Sequence, residues 1–330
     1  MQTKRVLALG FFDGVHIGHG ALLRRTRQVA DRLGCTAAAL TFDAPPAQVI
    51  SGAPVALISS AQDRARLMRQ LYGIDEVLVR HFDRAFMQRS WQDYIEKLLL
   101  AELGAVHVVC GADHRFGFHG AGTAERLREF CAARGVGCDI VEKVELDGAP
   151  VSSTRIRALL QAGDLDAARR LLGHAQLLSG MVAHGAHRGG AIGFPTANLP
   201  FPAGVLVPPR GVYCAQAQLE DGTLYPSVVN IGVHPTAGSL PAPILEAHLC
   251  GYDGDLYGQK IAVWLYHFLR PERAFSSMDA LAVQIAHDRA KTVEYLSTHK
   301  AYKKVPHFAE KSTKCGTLAR KERFELSRAF

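Results

Sequence analysis

Between residues 5 and 144, short apolar runs alternate with stretches of helical spacing, and this alternation restricts the fold more than any other feature of the chain. The runs RVLALG (5–10), TAAALTF (36–42), DEVLVRHF (75–82), AVHVVCG (105–111) and CDIVEKV (138–144) predict strands. Between them, Gly18 to Leu33 carries Leu22, Leu23, Thr26, Val29, Ala30 and Leu33 on one helical face, and further helices are predicted over Trp91–Leu103 and Thr123–Arg134. Strands that alternate with helices predict a parallel, doubly wound α/β sheet. Such a sheet holds ligands beyond the carboxyl ends of its strands.

Two short helices follow, over Ser152–Ala162 and Asp164–Leu172, and then the pattern changes. From about residue 176 the chain is rich in Gly and Pro, with short alternating strands at GVYCAQAQL (211–219), YPSVVNIG (225–232), ILEAHLC (244–250) and KIAVWLYHFL (260–269). This is the pattern of a small antiparallel β-barrel. A closing helix is predicted from Ser276 to about Leu296, with Ser276 and Asp279 in capping-box spacing and Leu281, Ile285 and Val293 on one face. The expected division is 1–175, 176–300 and a basic, flexible tail at 301–330.

Composition narrows the class. The 330 residues suffice for two cores, and 48% hydrophobic with 21% charged residues is ordinary for a globular protein. No apolar run approaches the roughly 20 residues that span a bilayer, and the N-terminus reads as a first strand, not a secretory signal. Seven scattered cysteines with no CxxC spacing argue against structural zinc or a disulfide framework and predict a reducing, cytoplasmic setting. The net charge is +7, and residues 301–330 hold eight Lys or Arg against three Glu, so the body is nearly balanced. The tail is the single hint of a nucleic-acid or membrane partner, and a solvated terminus is the preferred reading. The oligomeric state stays open.

Three clusters fall at the expected carboxyl edge of the sheet. GFFDGVHIGH (10–19) joins the first strand to the first helix, with His16 and His19 flanking Gly18. A helix start presents free N–H groups and a positive dipole end, and two imidazoles there can donate to phosphate oxygens. The tetrapeptide HxGH is weak alone, but strong after FDG at a strand–loop–helix junction; the plain alternative is two histidines in a glycine turn. VSSTRIR (151–157) offers the hydroxyls of Ser152, Ser153 and Thr154 and the guanidiniums of Arg155 and Arg157, or else a simple N-cap with surface arginines. GADHRFG (111–117) places Asp113 where it can meet a nucleobase, a ribose or an acceptor, a turn-forming Asp being the alternative. No GxxxxGK[ST] loop is present, which excludes a P-loop enzyme.

In the second half, GAIGFPTANL (190–199) directs the oxygens of Thr196 and Asn198 to one side, a donor set suited to Mg²⁺ that also shares nucleotide phosphates. In ILEAHLC, Glu246 and His248 alternate with Leu245, Ala247 and Leu249. A carboxylate aimed into a barrel mouth can take a proton from a substrate hydroxyl, while an ordinary solvent-facing glutamate and a strand-surface histidine are the competing readings.

Taken in order, GFFDGVHIGH, GADHRFGF, VSSTRIR, GFPTANL, VVNIGVHPT, DGDLYGQKI and FLRPERAF resemble the bacterial bifunctional riboflavin kinase/FAD synthetase family over about residues 5–300. The resemblance implies a Rossmann-like nucleotidyltransferase domain followed by a barrel kinase domain, with ATP as co-substrate, Mg²⁺ as cofactor, and riboflavin, FMN and FAD as substrates and products. It implies that His16, His19 and Arg157 act in adenylyl transfer, with Gly10, Phe11, Asp13, Gly14, Gly18, Ser153 and Thr154 around the ATP phosphates. It places Asp113 and Phe116 at the flavin. In the kinase, it implies that Gly193, Pro195, Thr196 and Asn198 hold ATP, with Thr196 and Asn198 on the metal, and that Glu246 is the general base beside the flavin. Three positions depart from the family pattern: Pro45 replaces a histidine, His114 a phenylalanine, and Gly190 an arginine, with Arg188 nearby. A chain with one working module, the kinase, and a flavin-responsive nucleic-acid-binding regulator are the alternative functions.

Overall fold

The computed structural model describes residues 2–183, 196–234 and 242–299. The first module opens with β1 (Arg5–Leu9), α1 (Ile17–Leu33), β2 (Thr36–Phe42), α2 (Pro46–Ser51), α3 (Ala61–Tyr72) and β3 (Glu76–Arg80). It continues through α4 (Arg84–Met87), α5 (Trp91–Asp93), a π-helical run over Tyr94–Glu102 and β4 (Ala105–Gly111). A hairpin of β5 (Arg115–Phe116) and β6 (Gly122–Thr123) leads to α6 (Ala124–Ala132) and β7 (Gly137–Val141), and a second hairpin, β8 (Glu145–Leu146) and β9 (Ala149–Pro150), precedes α7 (Ser153–Gln161) and α8 (Leu165–Leu172).

The five long strands form a parallel sheet in the order β3-β2-β1-β4-β7. Its central strands are mostly apolar, with His107 and Thr41 the buried polar residues, because both faces are covered. Val6, Ala8, Ala37, Ala39 and Val109 pack toward α1 and α3, while Leu7, Leu9, Ala38, Leu40, Val108 and Cys110 pack toward Tyr94–Leu103 and α6. Strand order reverses direction between β1 and β4, so the crevice at their carboxyl ends is the topological switch point. The loops 10–16 and 111–117 bound that crevice.

The second module contains β10 (Gln176–Met181), β11 (Ala197–Pro200), β12 (Gly211–Gln218), β13 (Leu224–His234), β14 (Ala242–Leu249), β15 (Lys260–Arg270) and α9 (Met278–Thr298). Its strands pair antiparallel in the order β10-β15-β12-β13-β14-β11. A further bridge from Ala183 to Asn198 brings the two edges together, so the barrel is nearly closed. Tyr213, Ala215, Val229, Ile231, Leu245, Ala247, Ile261 and Val263 fill its interior. The alternate residues of the same strands face outward, and Cys214, Ala262, Trp264 and Tyr266 join the cluster that contains α1 and α3. This apolar cluster therefore bridges the two modules. Helices α7 and α8 also bury Ile156, Leu160, Leu165, Leu171 and Leu172 in the cluster that lines the barrel.

Several predicted bounds are corrected. The strand expected at 75–82 spans Glu76–Arg80, and the one expected at 138–144 ends at Val141. The last helix is capped by Ser277, whose side chain accepts from the Ala280 N–H, and not by Ser276. Its buried residues are Asp288, Thr292 and Leu296, whereas Val293 is 49% exposed. Val293 lies one residue, about 100° of helix, beyond Thr292, which turns it out of the packed stripe.

Candidate active sites

The first site is built on the loop after β1. Within four residues, Phe12 (φ 58), Gly14 (φ 74) and Val15 (φ 44) adopt left-handed conformations. A β-branched residue there is strained, and such strain persists only where the surroundings over-determine it. The surroundings do so here. The Asp13 carboxylate is 3% exposed; Oδ1 accepts from the N–H groups of Ile58 (2.9 Å) and Ser59 (3.2 Å), and Oδ2 from Arg157 Nη1 (2.9 Å). Burial raises its pKa above the ordinary carboxylate value, against the pull of the Ser59 amide and Arg157. Ser153 Oγ donates to the Asp13 carbonyl (3.0 Å), Ser59 Oγ accepts from Gly14 N–H (3.0 Å), and Arg157 Nη2 donates to Thr154 Oγ1 (3.2 Å).

His16 caps α1: its Nδ1 accepts from the His19 N–H at 3.3 Å, so the proton of the neutral ring sits on Nε2 and is free to donate. The His16 and His19 rings stack, with centroids 3.6 Å apart and planes 16° from parallel. Burial and the neighbouring His174 hold His16 down at about 4, and burial, His16 and Arg64 push His19 well below its ordinary value. Both rings are therefore neutral donors near pH 7. His19 Nδ1 is buried and has no hydrogen-bond partner among the described residues. A buried orphan nitrogen at a helix start is the kind of group that a bound anion or nucleotide satisfies.

The structure thus brings Asp13, Gly14, His16, Gly18, His19, Ser153, Thr154 and Arg157 together, with Gly10 and Phe11 at the start of the same loop. Asp113 stands across the crevice, its side chain 69% exposed and paired with Lys143 Nζ at 3.2 Å. Phe116 is 7% exposed and packs on Tyr94, so its ring belongs to the core. His114 lies over Phe116 (5.4 Å) and burial lowers it to about 4. Pro45 sits immediately before α2, whose first residue is Pro46.

Arg64 is a member of the site that the sequence reading missed. It is fully buried, donates from Nη1 to the Phe11 carbonyl (3.2 Å) and from Nη2 to the Phe42 carbonyl (2.6 Å), and lies 4.1 Å from the Phe11 ring centroid. The signal was present: an arginine on the same face of a helix as Leu67 and Met68 needs a polar reason to be there.

The second site lies on the barrel. Asn198 is directly opposite Glu246 on the neighbouring strand, and Glu246 is directly opposite Asn230 on the next. Opposed residues on antiparallel strands share a face, at Cα separations of about 4.5–5.5 Å. Asn198, Glu246 and Asn230 therefore form one row across β11, β14 and β13. The expectation that Glu246 points into the barrel mouth is corrected. Leu245 and Ala247 occupy the interior, so strand alternation puts the row on the outer face. His248 is 9% exposed, not the surface residue expected, and sits opposite Val228. Asn230 Nδ2 donates to Glu272 Oε1 (3.1 Å), which brings a second carboxylate from the FLRPERAF segment to the row; neither residue was singled out from sequence.

Thr196 lines a cavity with Val182, Ala247, Asp255, Leu256 and Tyr257, which joins the PTAN segment to the DGDLYG segment. Asn198 is 4% exposed and its amide nitrogen is turned to the Thr196 carbonyl (3.5 Å), leaving the amide oxygen for another partner. Among the described residues no cluster of three or more His, Cys, Asp or Glu could hold a metal ion. Neutral oxygens beside a small number of carboxylates suit a hard cation such as Mg²⁺ that brings its own phosphate and water ligands. Gly193 and Pro195, with Arg188 and Gly190, lie outside the described residues.

Comparison with known proteins agrees with this fold. Residues 1–155 match the family model for FAD synthetase and residues 172–296 the one for riboflavin kinase. The bifunctional riboflavin kinase/FMN adenylyltransferase of Bacillus subtilis is 35% identical over 300 residues, covering 90% of this chain and 94% of that protein. The Escherichia coli K12 protein of the same name is 35% identical over 303 residues, covering 91% and 95%. A crystal structure from Streptococcus pneumoniae, named a macrolide-efflux protein, superposes with a TM-score of 0.74 at 28% identity and covers 89% of this chain and 95% of its own. No helix among the described residues is long and apolar enough to cross a membrane. Two family models matched in order, with curated relatives at this identity along nearly the whole length, establish that the chain belongs to the bifunctional riboflavin kinase/FMN adenylyltransferase family.

Proposed function

We propose that this protein makes FAD in two ATP-dependent steps, phosphorylating riboflavin to FMN on the barrel module and adenylylating FMN on the parallel-sheet module. Matches to both family models, each on its own fold, support the two activities together, and a kinase alone or a flavin-responsive regulator is not favoured. The observation that carries the residue assignment is the stacked, neutral His16–His19 pair at the start of α1, on the crevice where the sheet changes direction.

In the adenylyl-transfer site, the triphosphate lies over the N-terminus of α1. The Nε2–H of His16 and the ring of His19 donate to oxygens on the α-phosphorus as charge builds there. Arg157 is oriented by Asp13 and Thr154 and keeps further N–H groups for phosphate, with Ser153 alongside. An FMN phosphate oxygen attacks the α-phosphorus, the bond to the bridging oxygen breaks, and pyrophosphate leaves. Asp113, at the far side of the crevice, orients the flavin or the nucleotide. Neutral imidazoles suit a site that must release a highly charged product.

In the kinase site, Glu246 accepts the proton of the ribityl hydroxyl as that oxygen attacks the γ-phosphorus, and ADP leaves. Thr196 and Asn198 would hold Mg²⁺, which would supply charge neutralisation for the phosphates when bound. Asn198 and Asn230 flank Glu246 in the same row and fix its position. Neither step needs a covalent enzyme intermediate. We place the reaction in the cytoplasm, consistent with the six described cysteines, all of them free thiols. The domain boundary near residue 175 separates the two activities, and the reading gives nucleic acid no role.

Two substitutions test the division. His16→Ala should stop FAD formation while FMN still accumulates from riboflavin. Glu246→Ala should stop riboflavin phosphorylation while supplied FMN is still converted. Loss of both reactions from either substitution, in protein with native circular dichroism, contradicts the assignment.

A further inference from the structure

The adenylyl-transfer loop is not held by its own module alone. Gly14 is gripped at both ends of its backbone: its N–H donates to Ser59 Oγ (3.0 Å), and its carbonyl lies 3.0 Å from Nε2 of His174. A carbonyl can only accept, and Nδ1 of the same ring faces the Ala175 carbonyl, so the neutral imidazole bonds Gly14 in the tautomer that carries its proton on Nε2. His174 lies two residues before the first barrel strand, inside the stretch 172–296 that matches the riboflavin kinase model; its Nδ1 faces the Ala175 carbonyl (2.7 Å) and its ring stands edge-on to Trp264 (6.2 Å) of β15.

A second route reaches the same loop through the segment Leu57–Ser60. On the loop side, Ile58 and Ser59 donate their N–H groups to Asp13. On the barrel-module side, Leu57 N–H donates to the Gly204 carbonyl (2.8 Å) and the Leu57 carbonyl accepts from Leu206 N–H (2.7 Å). Asp63, fully buried at the start of α3, accepts from Ser60 Oγ (2.9 Å) within its own module and from both Ser179 Oγ and Ser179 N–H (3.4 Å) of β10. Buried polar contacts of this density fix a unique arrangement because leaving any one unmade is costly. They converge on Asp13 and Gly14, the two residues whose backbone shapes the phosphate loop.

We infer that His174, supported by the Ser179–Asp63 contact, is a positioning residue for adenylyl transfer: the kinase module supplies part of the scaffold of the other module's phosphate loop. The inference rests on the reading that this loop carries adenylyl transfer. Misplacement by about 1 Å of a group that orients a transferring phosphorus can lower a rate by up to about 100-fold, so the effect should be seen in turnover.

The test uses the full chain and three variants. His174→Phe keeps a ring against Trp264 but removes the donor, His174→Gln restores an N–H, and Ser179→Ala removes the hydroxyl from Asp63. Each preparation is assayed for FMN adenylylation, with kcat and KM for FMN separated, and for riboflavin phosphorylation. The expected result is a fall of about tenfold or more in adenylylation kcat for His174→Phe, with KM for FMN and riboflavin phosphorylation within twofold of wild type. Ser179→Ala should fall in the same selective sense, and His174→Gln should recover most of the loss. Adenylylation within twofold of wild type in His174→Phe overturns the inference. So does a parallel loss of both activities in His174→Phe and Ser179→Ala, which marks plain destabilisation. Failure of the wild-type protein to convert FMN to FAD would instead overturn the functional reading itself.

Discussion

Acidification should destabilise this protein through His16, and a single substitution can isolate the effect. The ring is 6% exposed and burial holds its pKa at about 4, against an ordinary value of 6.5. The folded form therefore binds fewer protons than the unfolded chain whenever the pH lies between those values. Stability from this residue is fully present above 6.5, is lost as the pH falls toward 4, and changes no further below that. At pH 5 the unfolded side chain is almost fully protonated and the folded one about a tenth so, which costs the folded state about 2 kcal/mol relative to pH 8. His16→Asn removes the titration but keeps a side chain that can cap α1, so its stability at pH 8 should stay within about 1 kcal/mol of wild type. Urea unfolding at pH 8 and pH 5, followed by fluorescence of Trp91 and Trp264, measures the difference. The Asp13 carboxyl, raised by burial, titrates in both proteins and cancels in the comparison. The variant should lose about 2 kcal/mol less than wild type between the two pH values. An equal loss in both would refute the argument that the ring is buried and neutral.

Two further outcomes follow from buried ions. Arg64→Leu leaves the carbonyls of Phe11 and Phe42 without their donor and should cost about 2 kcal/mol or more in urea unfolding, with FAD formation falling before riboflavin phosphorylation does. Asp288→Ala leaves Arg270, which grips both carboxylate oxygens, unpaired beneath α9; a loss of about 3 kcal/mol is expected, and a change under 1 kcal/mol would show that α9 is held by its apolar contacts instead.

The parts of the fold that the sequence reveals are those where one periodicity acts alone. TAAALTF has the bounds predicted for it, and Ile17–Leu33 starts within a residue of expectation. Helix α3 escaped notice because Asp63 and Arg64 stand on its buried side and break the apolar pattern. Those two residues are there to serve Ser179 and the phosphate loop, so the gap in the pattern was itself a functional signal. Tyr94–Glu102 reads as ordinary helix in sequence, yet its buried Tyr94, Ile95, Leu98 and Leu99 and the following Leu103 fall at steps of four and five, as a widened turn allows. The two-residue hairpins at 115–123 and 145–150 are too short to carry any period.

The residues that the structure gathers were legible where a motif holds them in contiguous positions, as in HIGH, SSTR and TAN. Residues that act from a distance in sequence left no local mark. Asn230 reaches Glu246 only through strand register, and His174 reaches Gly14 only because the barrel docks against α1 and α3. The outward placement of Glu246 was implied by its alternation with Leu245 and Ala247, but assigning it to the mouth required knowing which face of the strand is the interior.

Two separate phosphorus centres act on one chain in the proposed function, and isotopic labelling distinguishes them. Riboflavin is supplied with ATP labelled at either the α- or the γ-phosphorus, and FMN and FAD are separated over time. The γ-label should enter FMN first and then appear in FAD, while the α-label should enter FAD alone, with unlabelled pyrophosphate released. An α-label that never reaches FAD, or that appears in FMN, would contradict the assignment of adenylyl transfer to this protein.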